Sequence, residues 1–159
     1  MFTKVLIANR GAIATRIIRT LKQMGCQSVA IYNEADADSL HVQHADEAYS
    51  LGEGRAAETY LDQDKVFDII EQAGVDAVHP GYGFLSENHE FVKRCEENGI
   101  AFIGPTTQQM QSFGLKHTAR QLAEDNEIPL LPGTGLVDTV EQALSASASI
   151  GYPVMLKST

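Results

Sequence analysis

The feature that most constrains this chain is a repeated alternation of short apolar runs with apolar stripes at helical spacing. Val5-Leu6-Ile7-Ala8 contains no polar residue, which suits a strand covered on both faces of a parallel sheet. Ile13, Ile17, Ile18 and Leu21 follow on one helix face, and Gly25 stands where that helix would close. Val29-Ala30-Ile31-Tyr32 reads as a second strand and Ala48-Tyr49-Ser50-Leu51 as a weaker third. Val66, Ile69, Ile70 and Ala73 form another helical stripe before Gly74, and Val75 to Val78 is the next apolar run. A helix is predicted from about Asn88 to Asn98, stopped by Gly99, with Ala101-Phe102-Ile103 as the strand after it. Strands separated by helices require right-handed crossovers, so the fold class is α/β around a parallel sheet. Ligands in such sheets bind beyond the carboxyl ends of strands, where Asn9-Arg10-Gly11 and Gly81-Tyr82-Gly83 both fall.

The pattern changes after Gly104-Pro105. Thr106 and Gln109 have capping-box spacing, which predicts a short helix to Phe113. Gly114 separates it from a second helix over Lys116 to Asn126. Asp138 and Glu141 repeat the cap spacing ahead of a helix ending near Gly151, and Pro153-Val154-Met155-Leu156-Lys157 begins a strand. A strand with neither partner nor turn behind it points to the front section of a longer protein. The division expected is an α/β domain over residues 1–113 and the first part of another domain over 114–159.

Hydrophobic residues make up 43% of the 159, enough for a sizeable core. A formal charge of −9 disfavours a nucleic-acid or anionic-membrane surface, although a few local donors suffice for a phosphate. No apolar run approaches the ~20 residues of a membrane span, and because Met1-Phe2-Thr3-Lys4 leads straight into an apolar strand, no signal peptide is expected. Cys26 and Cys95 form no metal-ligand pair, which fits a reduced, cytoplasmic protein, and Cys95 is expected to pack beside Phe91. The five histidines show no metal spacing and none is assigned catalysis.

His79-Pro80-Gly81-Tyr82-Gly83-Phe84-Leu85-Ser86-Glu87-Asn88 places glycines, an aromatic ring and a carboxylate between a strand and a helix. A plain strand-to-helix turn would account for small residues there, but burying a core does not require Gly81, Tyr82 and Gly83 in a row. Asn9-Arg10-Gly11 stands where a Rossmann-like dinucleotide fold would carry three glycines, and only Gly11 is present. A nicotinamide or flavin dinucleotide is therefore disfavoured, although Glu34 and Asp36 lie where a ribose-binding acid would sit.

Four blocks together resemble biotin carboxylases. They are Ile7-Ala8-Asn9-Arg10-Gly11-Ala12-Ile13-Ala14, with Arg16 and Arg19 behind it, then His79 to Asn88, then Phe102-Ile103-Gly104-Pro105. Gly151-Tyr152-Pro153-Val154-Met155-Leu156-Lys157 is the fourth and resembles the ATP-grasp strand that carries a nucleotide-binding lysine. Gly114-Leu115-Lys116-His117-Thr118-Ala119-Arg120 and Lys157-Ser158-Thr159 look most like the urea carboxylase branch. Ala12 departs from the glutamate usual in the family, which puts any ligand role of that acid in doubt.

The resemblance implies a Rossmann-like pre-ATP-grasp domain followed by the start of an ATP-grasp domain. It implies ATP-driven activation of bicarbonate and transfer of the carboxyl group to biotin on a carrier domain, with Mg2+ ligands outside this chain. Lys116 and Lys157 match the family's ATP-contacting lysines; a solvated helix start is the plain alternative for Lys116. An unpaired charge on an apolar strand would be costly at Lys157. Tyr82, Gly83 and Glu87 fall on the biotin and bicarbonate side, helix-start electrostatics being the alternative for Glu87. Arg16 and Arg19 lie where the family has a subunit interface, hence a homodimer. The partners implied are the rest of the ATP-grasp domain, the biotin carrier and the carboxyltransferase domain. The segment alone is expected to be inactive. A biotin carboxylase of an acyl-CoA or pyruvate carboxylase, a non-catalytic dimerisation module and a dinucleotide-binding domain are the competing readings. The acceptor, urea, guanidine or another, stays open.

Overall fold

A computed structural model describes residues 1–114 and 116–157, with the backbone but not the side chain of Lys116. The chain divides into two compact units, Met1–Met110 and Gln111–Thr159.

The first unit holds β1 (Lys4–Ile7), β2 (Gln27–Tyr32), β3 (Glu47–Ser50), β4 (Ala77–His79) and β5 (Ala101–Phe102). All neighbouring strands are parallel, in the order β3-β2-β1-β4-β5, which is the expected α/β architecture. From β1 the chain moves outward to β2 and β3, then returns across the sheet to β4. Successive connections thus leave in opposite directions at β1 and β4, and a crevice opens at their carboxyl ends.

Four helices cover this sheet: α1 (Gly11–Gln23), α2 (Leu40–His44), α3 (Gln63–Ala73) and α4 (His89–Glu97). Ala14, Ile17, Ile18 and Leu21 of α1 pack on Val5, Ile7 and Ala77. On the opposite face Val66, Phe67 and Ile70 of α3 and Phe91 of α4 pack on Leu6, Val29, Ile31 and Val78. Val5, Leu6 and Ile7 are each 0% exposed, which accounts for an apolar run without alternation. Each such side chain contributes about 1.5–3 kcal/mol on burial. Cys95 joins the same core beside Phe91, and burial pushes its thiol up to about 12, leaving it unreactive.

Helix ends follow local chemistry. Asp62 accepts from the Asp64 and Lys65 N–H groups at the start of α3, and Gly74 closes it in the left-handed region at φ 61°. Asn88 accepts from Phe91 N–H at 3.0 Å and opens α4. β4 begins two residues later than the run Val75 to Val78 predicted. Val75 N–H still bonds to the Ile70 carbonyl, and the Asp76 carboxylate accepts from the Thr3 and Lys4 N–H groups. β3 begins at Glu47, whose carboxylate lies 2.6 Å from Lys4 Nζ. The short α2 had no helical stripe to announce it.

α5 (Thr107–Gly114) opens with the expected reciprocal cap: Thr106 N–H donates to Gln109 Oε1 at 2.9 Å, and Gln109 N–H to Thr106 Oγ1 at 3.2 Å. The second unit contains α6 (Lys116–Asp125) and α7 (Val140–Ile150). The cap of α7 is Thr139, not Asp138: its hydroxyl accepts from Gln142 N–H at 3.2 Å, while Asp138 donates its N–H to Gln142 Oε1 at 2.9 Å. The strand expected over 153–157 is absent from the described residues, and Leu156 is 78% exposed. A strand forms only where a neighbour takes up its backbone groups, and no described residue does so. Lys157 is correspondingly exposed, so the cost of burying its charge does not arise.

Candidate functional site

The crevice between β1 and β4 holds a cavity of about 400 Å3 lined by residues 9–13 and 82–84. Its two walls are the loops that leave those strands. Asn9, only 3% exposed, joins them. Its Nδ2 donates to the carbonyls of Pro80 and Tyr82, each at 2.8 Å, and its Oδ1 accepts from Arg10 N–H at 2.9 Å. Gly81 has φ +66°, and a Cβ there would stand 2.8 Å from Asn9 Nδ2. Close approach and a left-handed backbone both demand glycine at this position. Gly81 N–H donates in turn to His79 Nδ1 at 3.1 Å. Gly83 shares φ +66° but has no atom within 4 Å of where a Cβ would lie.

Behind the cavity Phe84 stacks on Tyr60 with ring centroids 5.1 Å apart, and the Arg10 guanidinium carbon lies 5.9 and 5.5 Å from those two centroids. Arg10 pairs with Asp36 at 3.0 Å, and the Tyr60 hydroxyl donates to the same carboxylate oxygen at 2.6 Å while accepting from Asn33 N–H at 3.1 Å. Burial raises the Asp36 carboxyl, but the bonds from Tyr60 and Arg10 outweigh it and hold the group below its usual value. Burial, helped by Asp36, pushes the Tyr60 phenol up, so it stays a donor at neutral pH.

His41 is fully buried under the start of α1, and its Nδ1 accepts from Gly11 N–H at 3.4 Å. Burial lowers its basicity; the Ile31 backbone and Asp36 pull the other way, yet Nε2 has no partner in hydrogen-bonding geometry. Burial likewise lowers His79. Both imidazoles act as neutral acceptors toward loop glycines.

Tyr82 and Gly83 line the cavity, with the Tyr82 residue 68% exposed. Glu87 is exposed just before the α4 cap and is not part of the lining. Arg16 and Arg19 are exposed on α1, and Arg16 Nη1 bonds to the Thr20 hydroxyl. The backbone of Lys116 opens α6, but its side chain, and hence any convergence with Lys157, lies outside the described residues. Asn9 as a tie between loops was not foreseen, although a buried amide directly after an unbroken apolar run is a signal for it. The pairing of Asp36 with Tyr60 gave none, because only the fold brings residues 24 apart together, and the sequence marks Asp36 only as a candidate ribose-binding acid.

Residues 1–110 match the family described as biotin carboxylase, N-terminal domain, and residues 116–159 match carbamoyl-phosphate synthase L chain, ATP binding domain. The chain belongs to the biotin carboxylase family. It is 51% identical, over 100% of its length, to 35% of a biotin carboxylase from Halalkalibacterium halodurans. Identity is 49%, again over 100% of the chain, to 9% of urea amidolyase from Saccharomyces cerevisiae. It is 48% over 98% of the chain to 22% of the mitochondrial methylcrotonoyl-CoA carboxylase subunit alpha of Mus musculus. The chain thus spans about a third or less of these relatives. Among solved structures, the biotin carboxylase domain dimer of Hydrogenobacter thermophilus 2-oxoglutarate carboxylase, in complex with MgADP, ADP and bicarbonate, gives a TM-score of 0.90. Identity there is 45%, covering 96% of this chain and 34% of that one. The fold is that of biotin carboxylase domains, within the ATP-grasp class. No described helix is long and apolar enough to cross a membrane.

Proposed function

We propose that this chain is the amino-terminal part of a biotin carboxylase module, with urea as the acceptor of the whole enzyme. The observation that carries the reading is the pair of family matches, read with a crevice at the switch point whose wall presents Tyr82 and Gly83. An exposed phenol ring beside a cavity offers an apolar face for a ureido ring, and the left-handed Gly83 lets backbone approach a ligand without a side chain between. Glu87, in the same loop but outside the lining, is a secondary candidate. Lys116 and Lys157 are assigned to ATP, each as a point charge toward phosphate oxygens. ATP with Mg2+ supplies phosphoryl activation of bicarbonate, and the Mg2+ ligands are assigned to the portion of the family fold this chain does not span. Residues 1–113 then form the pre-ATP-grasp domain and 114–159 the opening of the ATP-grasp domain. Arg16 and Arg19, exposed on the outer face of α1, are assigned to a subunit interface.

Urea is favoured by the wording of the Gly114 to Arg120 segment, while relatives named for methylcrotonoyl-CoA stand at nearly the same identity. The test is acceptor-dependent turnover by the full-length protein that carries this segment. ADP release that needs bicarbonate and biotin, and is drawn on by urea but not by acyl-CoA esters, is the expected result. Turnover with an acyl-CoA in place of urea would reassign the acceptor. Lys116→Ala and Lys157→Ala should each raise the KM for ATP by about tenfold or more, since each removes a charge from a phosphate contact. The 159-residue chain by itself should release no ADP.

A further inference from the structure

We propose that Asn9 and His79 are positioning residues that fix the loop presenting Tyr82 and Gly83 to biotin. The inference rests on the carboxylase reading and deepens it. Three backbone groups in two peptide units are held: the Pro80 carbonyl by Asn9 and the Gly81 N–H by His79 in one unit, and the Tyr82 carbonyl, again by Asn9, in the other. Neither tie is assigned a ligand contact, although Asn9 borders the cavity. Asn9 is buried with its amide engaged, and His79 aims Nδ1 at the loop backbone.

The loop needs such ties. Gly81 and Gly83 both adopt left-handed backbone, which glycine reaches but does not enforce. The Tyr82 ring is mostly exposed, so its place is set by the backbone beneath it. Asn9 also accepts from Arg10 N–H, so one amide holds both walls of the cavity in register. Losing a tie removes no contact to biotin; it lets the contacting groups wander, and misplacement by even ~1 Å can cost orders of magnitude in rate. The loss should therefore fall on the biotin step and spare nucleotide binding.

The test uses the full-length protein that carries this segment, with free biotin as acceptor and bicarbonate-dependent ADP release as the signal. Asn9→Ala and His79→Leu should each lower kcat/KM for biotin by about tenfold or more while the KM for ATP stays within about twofold. The unchanged ATP constant reports that the protein is folded. His79→Asn keeps an acceptor close to the position of Nδ1 and should recover most of what His79→Leu loses. Parallel loss in the ATP and biotin constants, or His79→Asn no better than His79→Leu, would overturn the proposal. Wild-type protein that is biotin-dependent, with variants matching it, sinks the positioning role alone. Wild-type ATP turnover without any dependence on biotin sinks the carboxylase reading and this inference together.

Discussion

Gly81 and Gly83 share a backbone angle and differ in surroundings, which separates two costs usually met together. At Gly83 an added methyl meets open space, so Gly83→Ala should cost only the left-handed conformation, about 1 kcal/mol. At Gly81 the methyl also meets Asn9, whose amide is pinned by three bonds, and Gly81→Ala should cost about 1–3 kcal/mol more. Urea unfolding of the two variants measures the gap, and equal losses would show that Asn9 yields freely. The glycines themselves were legible as a bent loop at a strand end. Which of them is forced was not, because the neighbour that forces Gly81 is Asn9, far away in sequence and one strand across. Tyr60 is a sharper case. Its hydroxyl serves Asp36 and Asn33 together, so Tyr60→Phe leaves a buried N–H and a carboxylate short of a partner. A loss of about 1–3 kcal/mol in the same assay is expected.

Helices and central strands were readable because each carries its own period. The apolar stripes of α1 and α3 and the cap at Asn88 depend on residues within a turn or two of one another. Elements whose existence depends on a neighbour were not. The segment 153–157 has the composition of a strand yet pairs with no described residue, and α2 has five residues and one buried side chain. The α7 cap was misplaced by one residue because Asp138 and Thr139 are both good caps, and only backbone geometry selects Thr139. Thr139→Ala should therefore shorten helicity around α7, read by NMR chemical shifts, at a cost of about 1 kcal/mol. Asp138→Ala should leave it in place. The reverse ranking would restore the sequence-based expectation.

At the scale of the molecule, several groups tie stability to pH in one direction. Ser28 N–H and hydroxyl hold the Asp46 carboxylate below its usual range. At Asp76 burial raises the carboxyl, but bonds from Thr3 and Lys4 outweigh it and the net shift is downward. These carboxylates are more acidic folded than unfolded, so their contribution is present above about pH 4 and is lost as pH falls through the lowered folded values. Burial lowers His41 and His79, so the unfolded chain takes protons first and stability starts to fall below about pH 6.5. Urea midpoints should thus be level near neutral pH and decline in two stages toward acid. They should decline again above about pH 8.5, where the unfolded chain releases the Cys95 thiol proton that the folded chain keeps. A midpoint that rises between about pH 7 and pH 5 would contradict the neutral-acceptor role of the two histidines.

Under the proposed function, this chain supplies the biotin-facing wall and the first ATP lysines of a carboxylase. The most direct measurement of that role is transfer of radiolabelled bicarbonate to biotin by the full-length protein that carries the segment. The account requires label on biotin only when ATP is present, and loss of that label in Lys116→Ala. Label-free biotin alongside tight binding of a dinucleotide such as NAD would contradict it.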